Sequence, residues 1–275
     1  FYRIFFQSHI YLLILVVIAS WFLATKLPHD RWEKWFAKDG GYLWIIGLGL
    51  VLMPIIVGSS RTFWLALGVL MFVMLIAIAR RYHWSIIWRW LMTMILAGLV
   101  SLASIFIIVN FPWPRPQLSF RPADIIEERL GDLESEAGAS SRWSLLPAML
   151  KSIVQAPLLG YGFGATITYI SADPRVLAQN PQGSYTTYAF EWGWLDIIFK
   201  FGLILALWYL IWLIRLIGQA WRHGVVGQAW ALGLSTLALV HVFSPYLNHP
   251  LGIIWLVGTI VWLSSHKHYE SLHSC

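Results

Sequence analysis

The chain is poor in cysteine and in charge. Its one cysteine, Cys275, stands at the last position, which excludes a disulfide framework and a cysteine-based metal site. Charged residues make up 12% of the 275 positions, about half of what a soluble domain carries. That scarcity excludes a soluble enzyme, a disordered chain and a nucleic-acid binder, although the formal net charge is +6. A charged-then-apolar leader with a small-residue cleavage site is also missing at the start. The first residue is Phe1 rather than Met, so the chain reads as an N-terminally truncated piece of a longer protein.

What it has is apolar length. Hydrophobic residues make up 59% of the sequence, and they come in blocks. Seven segments, at about 5–25, 42–58, 62–79, 86–109, 191–214, 227–246 and 250–265, are long enough as helices to cross about 30 Å of hydrocarbon. The blocks run without period-two alternation, which excludes a porin-type barrel. The 18 Trp and 11 Tyr suit membrane–water interfaces, where an amphipathic ring is most stable. The expected fold is therefore all-α: a polytopic membrane helix bundle of about seven transmembrane helices, forming a single membrane domain over 1–275.

Orientation follows from the basic residues. Lys26, Arg31, Lys34, Lys38, Arg80, Arg81, Arg89, Arg215, Arg222 and Lys267 all fall on one side of seven alternating spans. That side is expected to be cytoplasmic. The other face then carries a turn at 59–61, a turn at 247–249 and one large loop at about 110–190, expected to be periplasmic and to contain short helices. Within the loop, Phe111-Pro112-Trp113-Pro114-Arg115-Pro116 reads as extended chain. Residues 123–136 pattern as a short helix and Gly138-Ala139-Ser140-Ser141 as a hinge. Residues 142–155 repeat Leu145, Leu146, Met149, Leu150, Ile153 and Val154 at helical spacing, an apolar stripe suited to the bilayer or to the underside of a lid.

A few residues in this apolar background could carry chemistry. Arg61 follows Gly58-Ser59-Ser60 at the start of the third span; it either snorkels to headgroups or grips a phosphate through its planar fork. Arg142 opens the amphipathic helix and is either a solvated charge, paired with a loop acid, or an anion ligand. Pro157-Leu158-Leu159-Gly160-Tyr161-Gly162-Phe163-Gly164 has glycine at every second position. Such a turn lets backbone approach a phosphate closely, or simply bends the chain back to the membrane. Glu191 begins the fifth span without a local partner and can serve as a general base, or as a structural carboxylate holding Arg142. Asp196 and Lys200 are spaced to pair as i and i+4. His241, Asn248 and His249 bracket a proline-rich turn, where capping is their commoner use.

Taken in order, these residues resemble the C-terminal half of the O-antigen ligase and O-antigen polymerase family. The matching pattern runs from Gly58 to Arg61, through Arg142 to Ile153, Pro157 to Gly164, Glu191 to Asp196 and Lys200 to Ile204, and ends at Pro245 to Gly252. The resemblance implies a bacterial inner-membrane enzyme that takes a glycan from an undecaprenyl-pyrophosphate carrier and passes it to a glycan, lipid or protein acceptor. It implies Arg61 and Arg142 as pyrophosphate ligands, with Lys200, Gly160 and Gly162 also on the substrate. Glu191 is the implied base, standing where the ligases usually carry histidine. The implied chemistry is metal-independent inverting glycosyl transfer without a cofactor, and the sequence has no DxD motif or clustered His/Cys set. A flippase for a lipid-linked glycan and a non-catalytic membrane scaffold are the competing classes.

Overall fold

The computed structural model describes residues 6–26, 40–58, 60–111, 137–171 and 173–273. The chain is mostly helical. Its elements are α1 (His9–Lys26), α2 (Gly41–Val57), α3 (Arg61–Arg81), α4 (Trp84–Val109), α5 (Ala137–Gln155), β1 (Ile167–Ile170), α6 (Pro174–Gln179), β2 (Ser184–Thr187), α7 (Gly193–Trp221), α8 (Gly224–Val240), a short 3₁₀ turn (Tyr246–Asn248) and α9 (Pro250–His273). A helix occupies each of the seven apolar segments. Among the described residues, α3, α4 and α7 are long and apolar enough to cross a membrane, and α1, α2, α8 and α9 carry shorter apolar stretches.

The structure departs from the sequence reading in three places. First, α7 runs on to Trp221, past the expected end at 214, so that Arg215 lies inside the helix. Second, the expected hinge at 138–141 is helical: α5 starts at Ala137 and takes it in. Its apolar stripe also divides. Leu145 and Met149 are buried with Phe190 and Phe199 in a local core, whereas Leu150 and Val154 stay exposed. Third, the loop contains a two-stranded antiparallel sheet, β1 against β2, with Ile167 opposite Thr187 and Ile170 opposite Ser184. The expected helix at 123–136, the proline-rich run after Phe111, Ser59, Arg31, Lys34, Lys38 and Cys275 lie outside the described residues.

The chain divides into two compact units, Phe1–Glu128 and Arg129–Cys275. In the first, α2 and α4 approach closely at Gly49, where a Cβ would lie 2.7 Å from the Val100 side chain and 2.8 Å from the Ala97 carbonyl oxygen. Small residues permit this kind of contact between apolar helices, where packing has to replace the hydrophobic effect. Trp90 of α4 is buried and donates its indole N–H to the Ser20 carbonyl oxygen of α1 at 3.0 Å.

In the second unit, α8 and α9 interlock through two tryptophan–glycine pairs. Trp255 fills the space beside Gly233 and Trp230 the space beside Gly258, and the Trp255 indole donates to the Trp230 carbonyl oxygen at 3.2 Å. Helix α7 is broken at Gly202, whose φ of 73° and ψ of 173° are not helical. The glycine-rich segment fills this break. Tyr161 N–H donates to the Phe199 carbonyl at 2.9 Å, Gly162 N–H to the Lys200 carbonyl at 2.9 Å, and Leu203 N–H to the Pro157 carbonyl at 2.8 Å. These bonds satisfy groups that the interrupted helical ladder leaves open, and unsatisfied backbone is costly in an apolar setting.

Candidate functional site

Two polar centres stand out in the second unit. The first joins α5 to the chain entering α7. Arg142, on α5, donates its Nε–H to Glu191 Oε2, which lies just before α7. Two tryptophans fix the backbone around them: the Trp192 indole donates to the Arg142 carbonyl oxygen at 3.0 Å, and the Trp143 and Trp192 rings meet edge to face at 5.4 Å. The pair therefore sits on a rigid support, although its side chains are 36% and 50% exposed. An ion pair that open to solvent contributes only about 0–1 kcal/mol. Stability alone gives little reason to place it there.

The pair lines a cavity of about 520 Å³ together with Tyr169, Asp173, Gln179 and Tyr185. That size falls in the range of small-molecule sites, roughly 300–1,000 Å³. The observed pairing is the one that the structural alternative for Glu191 requires, and it replaces the expected loop-acid partner of Arg142.

The second centre lies within α7. Lys200 Nζ meets Asp196 Oδ1 at 2.6 Å, with side chains 13% and 4% exposed, and Asn248 Nδ2 donates to Asp196 Oδ2 at 3.0 Å. The expected i,i+4 pair thus forms, and the 3₁₀ turn adds a third member. A separate cavity of about 580 Å³, lined by Asp196, Lys200, Phe201, Trp208, Tyr209 and Asn248, opens beside it. The nearby histidines act as caps. Buried His241 accepts the Leu247 N–H on Nδ1 at 3.1 Å, and His249 accepts the Leu251 N–H on Nδ1 at 3.3 Å.

The other sequence candidates take structural positions. Gly160, with φ of 67°, would place a Cβ 2.6 Å from the Phe199 carbonyl oxygen and the Gly202 nitrogen. Gly162 has φ of 87° and open space around it, and its N–H is taken by Lys200. Arg61 is the half-buried first residue of α3, in the first unit, between buried Ser60 and Thr62. Phe63 and Trp64 N–H both donate to the Ser60 carbonyl at 3.0 Å, which fixes the helix start there. Sequence reasoning missed Tyr169, Tyr185 and Asp173. The alternation of Ile167-Thr168-Tyr169-Ile170 and Ser184-Tyr185-Thr186-Thr187, rich in β-branched and aromatic residues, was the signal that could have found the strands.

Among the described residues, no three His, Cys, Asp or Glu side chains group where a metal ion could be held. Compared with protein-family models, curated proteins and solved structures, the chain matches none. Fold and site together define a mostly helical protein with membrane-length apolar helices and a polar cavity built around an arginine–carboxylate pair.

Proposed function

We propose that this protein transfers a glycan from an undecaprenyl-pyrophosphate carrier at the periplasmic face of a bacterial inner membrane, in the manner of the O-antigen ligases and polymerases that its sequence resembles. In this reading all seven apolar helices span the membrane and the 110–190 loop is periplasmic. The observation that carries it is the Arg142–Glu191 pair, half exposed in a cavity of about 520 Å³. A charge pair that adds little to stability but sits in a ligand-sized cavity is well placed for binding or catalysis.

Each partner supplies one half of the chemistry. Guanidinium binds a phosphate through two parallel hydrogen bonds and neutralises charge as the phosphate departs. When the donor's pyrophosphate arrives, Arg142 exchanges Glu191 for it, and the carboxylate is released to face the acceptor. Glu191 then takes the acceptor hydroxyl proton. The acceptor oxygen forms its bond to the anomeric carbon from the side opposite the leaving group. The bond from that carbon to the pyrophosphate oxygen breaks, its electron pair stays with the lipid pyrophosphate, and the configuration inverts. Arg61 keeps the anion-binding role given by the resemblance. Lys200, Gly160 and Gly162 are given no contact with substrate, because Asp196 and the break in α7 already engage them.

One observation favours the competing flippase reading. A membrane-length helix broken beside buried charges, as α7 is at Gly202 beside Asp196 and Lys200, is a feature of transporters. Purified protein in liposomes, given a lipid-linked oligosaccharide donor without an ion gradient or a nucleotide, separates the two. Lengthened or transferred glycan supports transfer. Movement of donor across the bilayer without new glycosidic bonds supports the flippase and removes the transferase reading.

A further inference from the structure

Between α5 and β1 the chain turns through residues 156–164, which read Ala-Pro-Leu-Leu-Gly-Tyr-Gly-Phe-Gly, without one charged side chain. Pro157 cannot continue α5, and Gly160 and Gly162 take the positive φ that the bend requires. The large side chains stay uncovered. Leu159 and Phe163 are each 75% exposed, and Leu158, like Val154 in the last turn of α5, is exposed as well. A group of large apolar side chains left open in this way marks a contact surface.

Two observations say what it contacts. First, the turn is tied to the break in α7. Tyr161 and Gly162 donate to the Phe199 and Lys200 carbonyls, Leu203 donates to the Pro157 carbonyl, and the Phe163 and Phe201 rings meet edge to face at 4.8 Å. From Gly202 to Trp221, α7 rises about 30 Å at about 1.5 Å per residue, the thickness of a hydrocarbon core. The part beyond the break thus suffices to cross a bilayer. That placement leaves Asp196 and Lys200 outside the hydrocarbon, where charge is far less costly. It puts Arg215 near the opposite end, where an arginine side chain snorkels to the surface. Gly202, and the turn bonded to it, then stand at the boundary.

Second, the exposed apolar surface is continuous. Ile204, Leu205, Leu207 and Trp208 of α7 are exposed just past the break, and Phe163 lines one cavity with Phe201, Leu205 and Trp208. The turn also meets the demands of lipid. The Tyr161 and Gly162 N–H groups are satisfied within the protein, and the Tyr161 hydroxyl donates to Gln155 Oε1 at 3.3 Å. Lys151, one turn before Gln155 in α5, is exposed and of the right charge for a phosphate headgroup.

We infer that the 156–164 turn is a membrane-contact surface, with Leu158, Leu159 and Phe163 seated among the acyl chains of the leaflet at the N-terminal end of α7. This rests on the reading that α7 spans the membrane. It fixes the end of α5, the helix that carries Arg142, to the leaflet that delivers a lipid-linked donor.

The test uses the full chain with Cys275→Ser, reconstituted in liposomes of phosphatidylethanolamine and phosphatidylglycerol. Single cysteines replace Leu159, Phe163, Ile211 in the middle of α7 and Gln182 in the loop, and each carries a nitroxide. Collisions with oxygen, which enters hydrocarbon, and with a water-soluble nickel chelate are measured by electron paramagnetic resonance. Labels at 159 and 163 should lose nickel collisions to the level at 211 and keep those with oxygen, whereas 182 keeps its nickel collisions. Nickel access at 159 and 163 equal to that at 182 overturns the surface. So does the loss of both probes there, which would mean that protein covers the turn. The two readings fail separately, because water-like behaviour at 211 removes the spanning of α7 itself. If the labelled variants lose their fold, the unaltered chain is treated with a phospholipid carrying a photoreactive group on its acyl chain. Crosslinks should map to 157–164 as well as to α7, and crosslinks on α7 alone overturn the surface.

Discussion

Arg142 and Glu191 are joined across 49 residues of sequence, the arginine from α5 and the glutamate from the entry to α7. Both ends of the contact are held by something other than the contact itself. The Trp192 indole fixes the Arg142 backbone, and Leu145 and Met149 anchor α5 against Phe190 and Phe199. The pair is thus presented by its scaffold rather than being what holds the scaffold together.

Removing the pair should therefore leave the fold nearly untouched. Glu191→Gln and Arg142→Lys are each expected to change stability by no more than about 1 kcal/mol, the upper range for an exposed ion pair. Thermal unfolding in detergent checks this. A large fall in melting temperature for either variant would show that the pair is structural.

The glycines around the break in α7 should rank by what surrounds them. A Cβ at Gly202 would lie 2.0 Å from the Leu158 carbonyl oxygen, and one at Gly160 2.6 Å from the Phe199 carbonyl oxygen, both at positive φ. Alanine at either combines a backbone clash with conformational strain of about 1–3 kcal/mol and should strongly destabilise the protein. Gly162→Ala meets only the strain, so about 1 kcal/mol is expected. Gly164, with open space and no positive φ, should accept alanine without loss. Melting temperatures of the four variants, measured side by side, give the order.

The Asp196–Lys200 pair should behave in the opposite way from Arg142–Glu191, because Asp196 is buried and Lys200 is only 13% exposed. Removing one partner leaves an uncompensated charge, a loss of about 3–5 kcal/mol. Asp196→Asn and Lys200→Met should each show it. The double variant should recover part of the stability, since both desolvation costs are then gone. Additive losses in the double-mutant cycle would show that the two side chains are not coupled.

Apolar length made the helices legible in the sequence, because an apolar run needs no tertiary context to declare itself. The i,i+4 spacing made Asp196–Lys200 legible for the same reason: the partners are neighbours on one helix. What stayed hidden depends on distant chain. Nothing local to Glu191 marks Arg142 as its partner, so the pair was legible only as one alternative for Glu191. The alternating glycines at 160, 162 and 164 suggested a cradle for phosphate, but the one close approach among them is that of Gly160 to the Phe199–Gly202 backbone. The sheet escaped because its strands are only four residues each, and α6 lies between them, so no tight turn announced a hairpin.

Topology has its own test. In a Cys275→Ser background, Gln182→Cys probes the loop and Arg222→Cys the opposite end of α7; both positions are exposed. An impermeant thiol reagent applied to cells with a permeable outer membrane should label the loop cysteine and spare the other until the inner membrane is opened. The reverse pattern would place the loop in the cytoplasm.

Glycosyl transfer as proposed requires Glu191 to move a proton while Arg142 holds the pyrophosphate. The most direct measurement is the initial rate of glycan transfer from a lipid-linked donor by Glu191→Gln in liposomes, with donor binding measured on the same preparation. Glutamine keeps the shape and removes the basic oxygen, so the rate should fall about 10²–10⁴-fold while donor binding stays near wild type. A wild-type rate in the Gln variant would contradict the account and leave Glu191 as a carboxylate that does no more than hold Arg142.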